Sequence, residues 1–255
     1  MTPDSPDNFE GNRAVGATGI NRSLAVVLVM ILGASVLFWF APQLDWWASG
    51  IFYNAESGFQ LRGDPFWISV RKAGLLITRL AVVALVLVLV AKFFVPRLVA
   101  WARPSHWLFL VTTLALGPGL LVNLILKEIV GRPRPFRTDL FAGDAPYVAP
   151  WVFSDYCAKN CSFVSGEAAA SFWWVALAFI VPQRWRLMTA LITVIYAAIM
   201  SVNRIAFGGH FLSDVVLAWL LMLLIMIIAH HWLVVRNGAT IDQRAAGLFG
   251  KKRNS

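Results

Sequence analysis

Charged residues are scarce in this chain. Only 14% of its 255 residues are Asp, Glu, Lys or Arg, against 59% hydrophobic residues. A soluble domain carries roughly 25% charge, so a soluble globular fold is excluded. Amphipathic patterning is also missing. The apolar residues come in long unbroken runs, and the mean hydropathy is +0.69. Such runs define an integral membrane protein, here one all-α polytopic domain. Cysteine is sparse: Cys157 and Cys161 have no second pair and no nearby His pair, which leaves zinc little support. Neither an internal repeat nor a low-complexity tract is present.

The net charge is +9. Much of the excess lies beside apolar runs, as at Arg97 and Arg103, Arg184 and Arg186, and Arg236 through Lys251, Lys252 and Arg253. That distribution sets membrane topology and does not describe a nucleic-acid surface.

Six apolar runs fall at about 24–42, 75–95, 107–126, 168–182, 187–203 and 212–235. Most approach the roughly 20 residues that cross a bilayer. The fourth is short and is opened by Ser165 and Gly166. Residues 1–22 are polar and rich in Gly, Asn and Asp, which predicts a disordered N-terminus. Residues 23–236 form the membrane domain and 237–255 a basic tail. Bulky Phe38, Trp39 and Phe40 follow Gly33-Ala34-Ser35, so the first run reads as an uncleaved anchor. Trp46, Trp47, Trp67, Trp101, Trp107, Trp151, Trp185 and Trp232 gather near run ends, as an interfacial belt does.

The loops orient the chain. Lys92 near the end of run two and Arg97 and Arg103 before run three, and Arg184 and Arg186 between four and five, stand with no acid in either segment. The tail is basic, against Asp242. The positive-inside rule then puts both termini in the cytoplasm.

Three polar clusters fall on the opposite side. In the first, Lys127 precedes Arg132-Pro133-Arg134-Pro135, where each proline holds the preceding residue extended. Two guanidinium groups on a stiff segment suit a phosphate. Arg132 and Glu128 take no specific role from the sequence. In the second, Ser165-Gly166-Glu167 starts a helix, whose free N–H groups form an anion site and whose Gly admits a phosphate closely. In the third, Arg204 adds a cation. His210 and Asp214, four apart, face one side of a helix, so an Asp can accept the imidazole N–H and leave the other nitrogen free to attack. Ionisable groups at membrane depth are costly and usually functional. Arg79, inside the second run, needs a partner or a wet face. These parts hold a phosphate and attack its phosphorus. Beside a membrane, they describe an enzyme acting on phosphorylated lipid. Cys157 and Cys161 form a disulfide if their loop is extracytoplasmic; two free thiols are the alternative.

Together the clusters resemble the phosphatidic-acid-phosphatase type 2 (PAP2) superfamily, whose signature is Lys-x6-Arg-Pro, Pro-Ser-Gly-His and Ser-Arg-x5-His-x3-Asp. Lys127 through Arg134-Pro135 fits the first element. Arg204, His210 and Asp214 fit the third, with Asn203 where Ser is usual. The second departs, with Val164 for Pro and Glu167 for His. The resemblance implies a six-helix membrane bundle and no metal or other cofactor. It implies Lys127, Arg134, Arg204, Ser165 and Gly166 as phosphate ligands, His210 as nucleophile and Asp214 as its orienting partner. It does not supply the general acid. Glu167 is then a protonated acid, or the leaving group needs little help, or the chain binds without efficient turnover.

The implied substrate is a phosphorylated membrane lipid. Extracytoplasmic bacterial members act on undecaprenyl diphosphate, phosphatidylglycerol phosphate or the phosphates of lipid A. Glu167 and the paired cysteines are more similar to the lipid A phosphatases. The implied location is a bacterial inner membrane, with the site facing the periplasm. The alternatives are a lipid phosphotransferase and a non-catalytic lipid-phosphate binding or transport protein.

Overall fold

A computed structural model of the chain describes residues 6–94 and 103–251. Helix α1 runs Pro6–Phe40 and a short α2 spans Gln43–Gly50. A two-residue hairpin follows, β1 Tyr53–Asn54 and β2 Gly58–Phe59, with Tyr53 opposite Phe59. Then come α3 (Pro65–Phe94), α4 (Pro104–Ile129), α5 (Gly166–Ile180), α6 (Gln183–Ala206), α7 (Leu212–Arg236) and α8 (Gly238–Lys251). Five of these contain stretches long and apolar enough to cross a membrane: Gly19–Phe40, Pro65–Lys92, α4, α6 and α7. The shorter α5 completes the six expected runs.

Caps explain several boundaries. The Asp64 carboxylate accepts the Trp67 N–H at 3.0 Å, and Pro65 opens α3. The helix therefore starts well before residue 75. Arg71 and Lys72, in its first turns, line a cavity. Asp242 of α8 accepts the Ser105 N–H at 2.8 Å and pairs with Arg103 at 3.1 Å. The basic tail is thus partly a helix docked on the start of α4. Helix α1 begins at Pro6, inside the segment expected to be disordered. Extending an established helix costs little per residue, which carries it through this polar stretch. Arg97, Trp101, Lys252, Arg253 and the expected end of the second run at residue 95 lie outside the described residues.

Helix α7 sits at the centre, packed by α1, α4 and α5. Ala168, Ala169, Ala176, Ala197 and Ala218 are buried at these crossings, where small side chains let helices approach closely. A Cβ on Gly117 of α4 would collide with Met222 of α7. One residue later, Pro118 interrupts the helical ladder. The turns from Ala115 to Leu126 widen to π-helix, and Asn123 donates to the Pro118 carbonyl at 2.6 Å. The outward faces stay apolar, with Leu76, Leu80, Val83 and Leu87 of α3 exposed to the space that lipid fills.

Successive spans run in opposite directions. The ends of α1, α4 and α6 therefore meet the starts of α3, α5 and α7 at one end of the bundle. All three polar clusters lie there.

Candidate active site

The first cluster divides at Gly131. Its φ is +66°, and a Cβ there would strike the Ser154 carbonyl, so glycine is required. This turn sends Arg132 and Arg134 different ways, against the expectation that both project toward a phosphate. Arg132 goes inward and is fully buried. Its Nε donates to the Val148 carbonyl at 2.7 Å. Nη1 donates to Ser213 Oγ at 2.8 Å and Asp214 Oδ1 at 2.5 Å, and Nη2 to Asp45 Oδ2 at 2.9 Å and Tyr147 Oη at 3.2 Å. Its guanidinium also lies 4.5 Å from the Phe211 ring centroid. Burial opposes that charge, but Asp214 and Asp45 hold the Arg132 pKa above its ordinary value.

Asp45, which the sequence reading missed, is the second hub. It accepts from Tyr147 Oη (3.0 Å), Ser213 Oγ (2.6 Å) and the Ser213 N–H (2.7 Å), and so caps α7. Nothing local marks it, since its partners lie 87 and 168 positions away.

The network ends at His210, which is 1% exposed. Its Nδ1 lies 2.7 Å from the Ser162 carbonyl and 3.8 Å from Asp214 Oδ2. Asp214 stands beside His210, and the shorter contact of Nδ1 is to the Ser162 carbonyl. Nδ1–H is held by the Ser162 carbonyl, while Asp214 accepts the Ser162 hydroxyl at 2.5 Å and the Phe211 N–H at 2.9 Å. A proton fixed on Nδ1 leaves Nε2 with a free lone pair. Burial, helped by Arg204 and Arg134 and opposed by Asp214, pushes the His210 pKa down to about 4. The imidazole is neutral at pH 7.

Around it stand the cations. Ser165 caps α5 by accepting the Ala168 N–H at 3.3 Å. Gly166 leaves space that Lys127 uses: a Cβ there would lie 2.9 Å from Lys127 Nζ. Gly209 does the same for Arg204, whose guanidinium a Cβ would strike. Arg204 is buried, and its Nε has no hydrogen-bond partner among the described residues. Asn203, in the place of the usual Ser, donates to the Trp67 carbonyl at 3.0 Å and ties α6 to α3.

Glu167 makes a bidentate pair with Arg71 of α3, with Nε 2.9 Å from Oε2 and Nη2 2.6 Å from Oε1. Arg204 Nε lies 3.5 Å away on the other side. Two guanidinium groups stabilise the carboxylate form, which argues against a protonated Glu167. Arg71 was also missed; 96 positions separate it from its partner.

Cys157 and Cys161 are joined as a disulfide. Within that small ring Asn160 takes a left-handed conformation (φ 52°), which Asn tolerates. Its carbonyl accepts from Arg134 Nε at 3.1 Å and Nη2 at 2.8 Å, and its Oδ1 accepts from Arg134 at 2.8 Å and Lys127 at 3.5 Å. Asn160 thus presents two oxygens to cations assigned to a phosphate. A cavity of about 330 Å³ opens alongside, walled by Arg62, Arg71, Lys72, Arg134 and Arg204. A second, of about 210 Å³, is lined by Arg79 with Asn123, Lys127 and Tyr196.

A polytopic bundle with clustered cations, a helix N-terminus and a neutral buried histidine at one end defines a membrane protein equipped for phosphate chemistry. The PAP2 superfamily model matches residues 106–237. The chain belongs to that superfamily. It is 33% identical to the lipid A 4'-phosphatase of Francisella tularensis subsp. novicida over 191 residues, 74% of this chain and 86% of that protein. It is 44% identical to the lipid A 4'-phosphatase of Rhizobium leguminosarum over 113 residues, 44% of this chain and 48% of that one. The match to a Rhizobium etli protein of the same name is also 44% identical, over 112 residues. The chain spans about half the length of the Rhizobium relatives it matches. Among solved structures, a PAP2-type phosphatidylglycerolphosphate phosphatase from Bacillus subtilis shares the fold. Its TM-score is 0.53 at 19% identity, covering 82% of this chain and 94% of that one.

The substitution Asp45→Ala leaves Arg132 short of a buried carboxylate and uncaps α7. Breaking a buried ion pair costs about 3–5 kcal/mol, so thermal unfolding in detergent should shift strongly downward. An unchanged melting temperature would contradict the hub assignment.

Proposed function

We propose that this protein is a membrane lipid phosphatase that removes a phosphate monoester from lipid A, on the extracytoplasmic face, through a phosphohistidine at His210. The observation that carries the reading is His210 itself, neutral, with Nδ1 tied to the Ser162 carbonyl and Nε2 left free. The relatives' names support lipid A as substrate. Two observations support the facing. Arg103, Arg184, Arg186 and Arg236 mark the end of the bundle opposite the site. The Cys157–Cys161 disulfide belongs to an oxidising compartment such as the periplasm.

In this scheme the phosphate sits among Lys127, Arg134, Arg204 and the first N–H groups of α5. It displaces the Asn160 oxygens from Lys127 and Arg134. His210 Nε2 attacks in line, the P–N bond forms as the lipid P–O bond breaks, and the electron pair leaves with the lipid oxygen. The three cations stabilise charge on the equatorial oxygens. Water then attacks the phosphohistidine, restoring neutral His210 and releasing inorganic phosphate. Glu167 holds Arg71 and Arg204 in place and gives no proton, so the departing oxygen takes its proton from water.

Purified protein in detergent with EDTA should release phosphate from lipid A, and His210→Ala should lower the rate by at least about 10³-fold. Near-wild-type release by that variant would overturn the scheme. The acid limb of kcat/KM, which reports the free enzyme, provides a second check. An unperturbed imidazole protonates near 6.5, but His210 stays neutral down to about pH 4. Activity should therefore persist as pH falls from 7 to 5, and a limb centred at 6.5 would contradict a buried neutral nucleophile.

A further inference from the structure

The wall of the larger cavity holds more positive charge than one phosphate needs. A phosphate monoester carries about −1.5 to −2. Lys127, Arg134 and Arg204 already answer it. Arg71 is neutralised by its bidentate pair with Glu167. Arg62 and Lys72 remain, on the same cavity, with no carboxylate lining it among the described residues.

Both are placed by the fold. On α3, Ile68, Arg71, Lys72 and Leu75 all line the cavity, at the spacing of one helix face. Lys72 therefore stands beside Arg71 over the site. Arg62 lies with its guanidinium 3.9 Å from the Phe136 ring centroid, a cation–π geometry that fixes its direction. The Phe136 N–H in turn donates to the Gly208 carbonyl at 3.1 Å, two residues before His210. Arg62 is thus carried by the turn that carries the nucleophile. Arg204, 3% exposed and ion-paired with Glu167 at 3.5 Å, lines the same cavity. At about 330 Å³ the space equals roughly ten waters, more than one phosphate fills.

We propose that Arg62 and Lys72 form a second anion subsite, which takes a further phosphate or carboxylate on the head group whose first phosphate faces His210. The substrate class becomes lipids with two separated anionic groups. This rests on the phosphatase reading and deepens it. A subsite of this kind strengthens ground-state binding, so its effect belongs in KM and not in kcat.

The test compares lipid A bearing two phosphates with the same lipid lacking the phosphate that is not hydrolysed. It uses full-length protein in detergent, with wild type, Arg62→Ala and Lys72→Ala. The expected result is a KM at least about tenfold lower for the bisphosphorylated lipid, a preference lost in both variants. Turnover of the monophosphorylated lipid should be unchanged. Equal loss on both lipids would assign Arg62 and Lys72 to general membrane or structural roles and overturn the subsite, as would an undiminished preference in the variants. Equilibrium binding of both lipids to the same three proteins keeps the question independent of catalysis. If the wild type hydrolyses neither lipid, the phosphatase reading fails. The subsite then stands or falls on whether bisphosphorylated lipid binds more tightly and loses that advantage in the two variants.

Discussion

The buried guanidinium of Arg132 is the interaction on which the site depends. It joins α2, the loop carrying Tyr147 and Val148, and the start of α7 in one set of hydrogen bonds. A fully buried cation is costly unless each N–H finds an acceptor and its charge is balanced. Here Asp45 and Asp214 supply the charge, and carbonyl and hydroxyl oxygens take the remaining donors. The same two carboxylates also fix backbone: Asp45 caps α7 at Ser213, and Asp214 holds the Phe211 N–H and the Ser162 hydroxyl. Positioning of His210 follows, because the Ser162 carbonyl accepts its Nδ1–H. A charge that never meets substrate thereby sets the tautomer of the group proposed to attack it.

Outside this frame, the remaining charges suit the proposed phosphate ligand. Glycines 166 and 209 admit Lys127 and Arg204 against the backbone. Asn160 occupies Lys127 and Arg134 with neutral oxygens, which the proposed phosphate would displace. Glu167, bracketed by Arg71 and Arg204, restrains two cations that would otherwise repel one another. Its place at the start of α5 also puts an acid where the helix dipole favours one. On this view the replacement of His by Glu exchanges a proton donor for an arginine clamp. The proton that the departing oxygen needs then comes from water.

Much of this was legible because the chemistry is locally clustered. Lys127 and Arg134 sit in one short segment, as do Arg204, His210 and Asp214, and spacing alone puts each set at a helix end. The six apolar runs were readable for the same reason, including the shortness of α5. What stayed hidden depends on distant pairing. Asp45 and Arg71 carry no local pattern, and their partners lie 87 and 96 positions away. The opposite directions of Arg132 and Arg134 are set by the left-handed backbone at Gly131 and by carboxylates no neighbouring residue announces. The start of α3 lies ahead of the apolar run at 75, because its first turns carry Arg71 and Lys72 on the face that lines a cavity.

The most direct test of the account is to look for the covalent intermediate. Wild-type protein would be mixed with lipid A labelled in its phosphate, quenched in alkali within one turnover, and mapped by peptide. The account predicts an acid-labile, alkali-stable phosphate on His210 that appears before free phosphate. Release of free phosphate with no protein-bound label, or label on another residue, would contradict it.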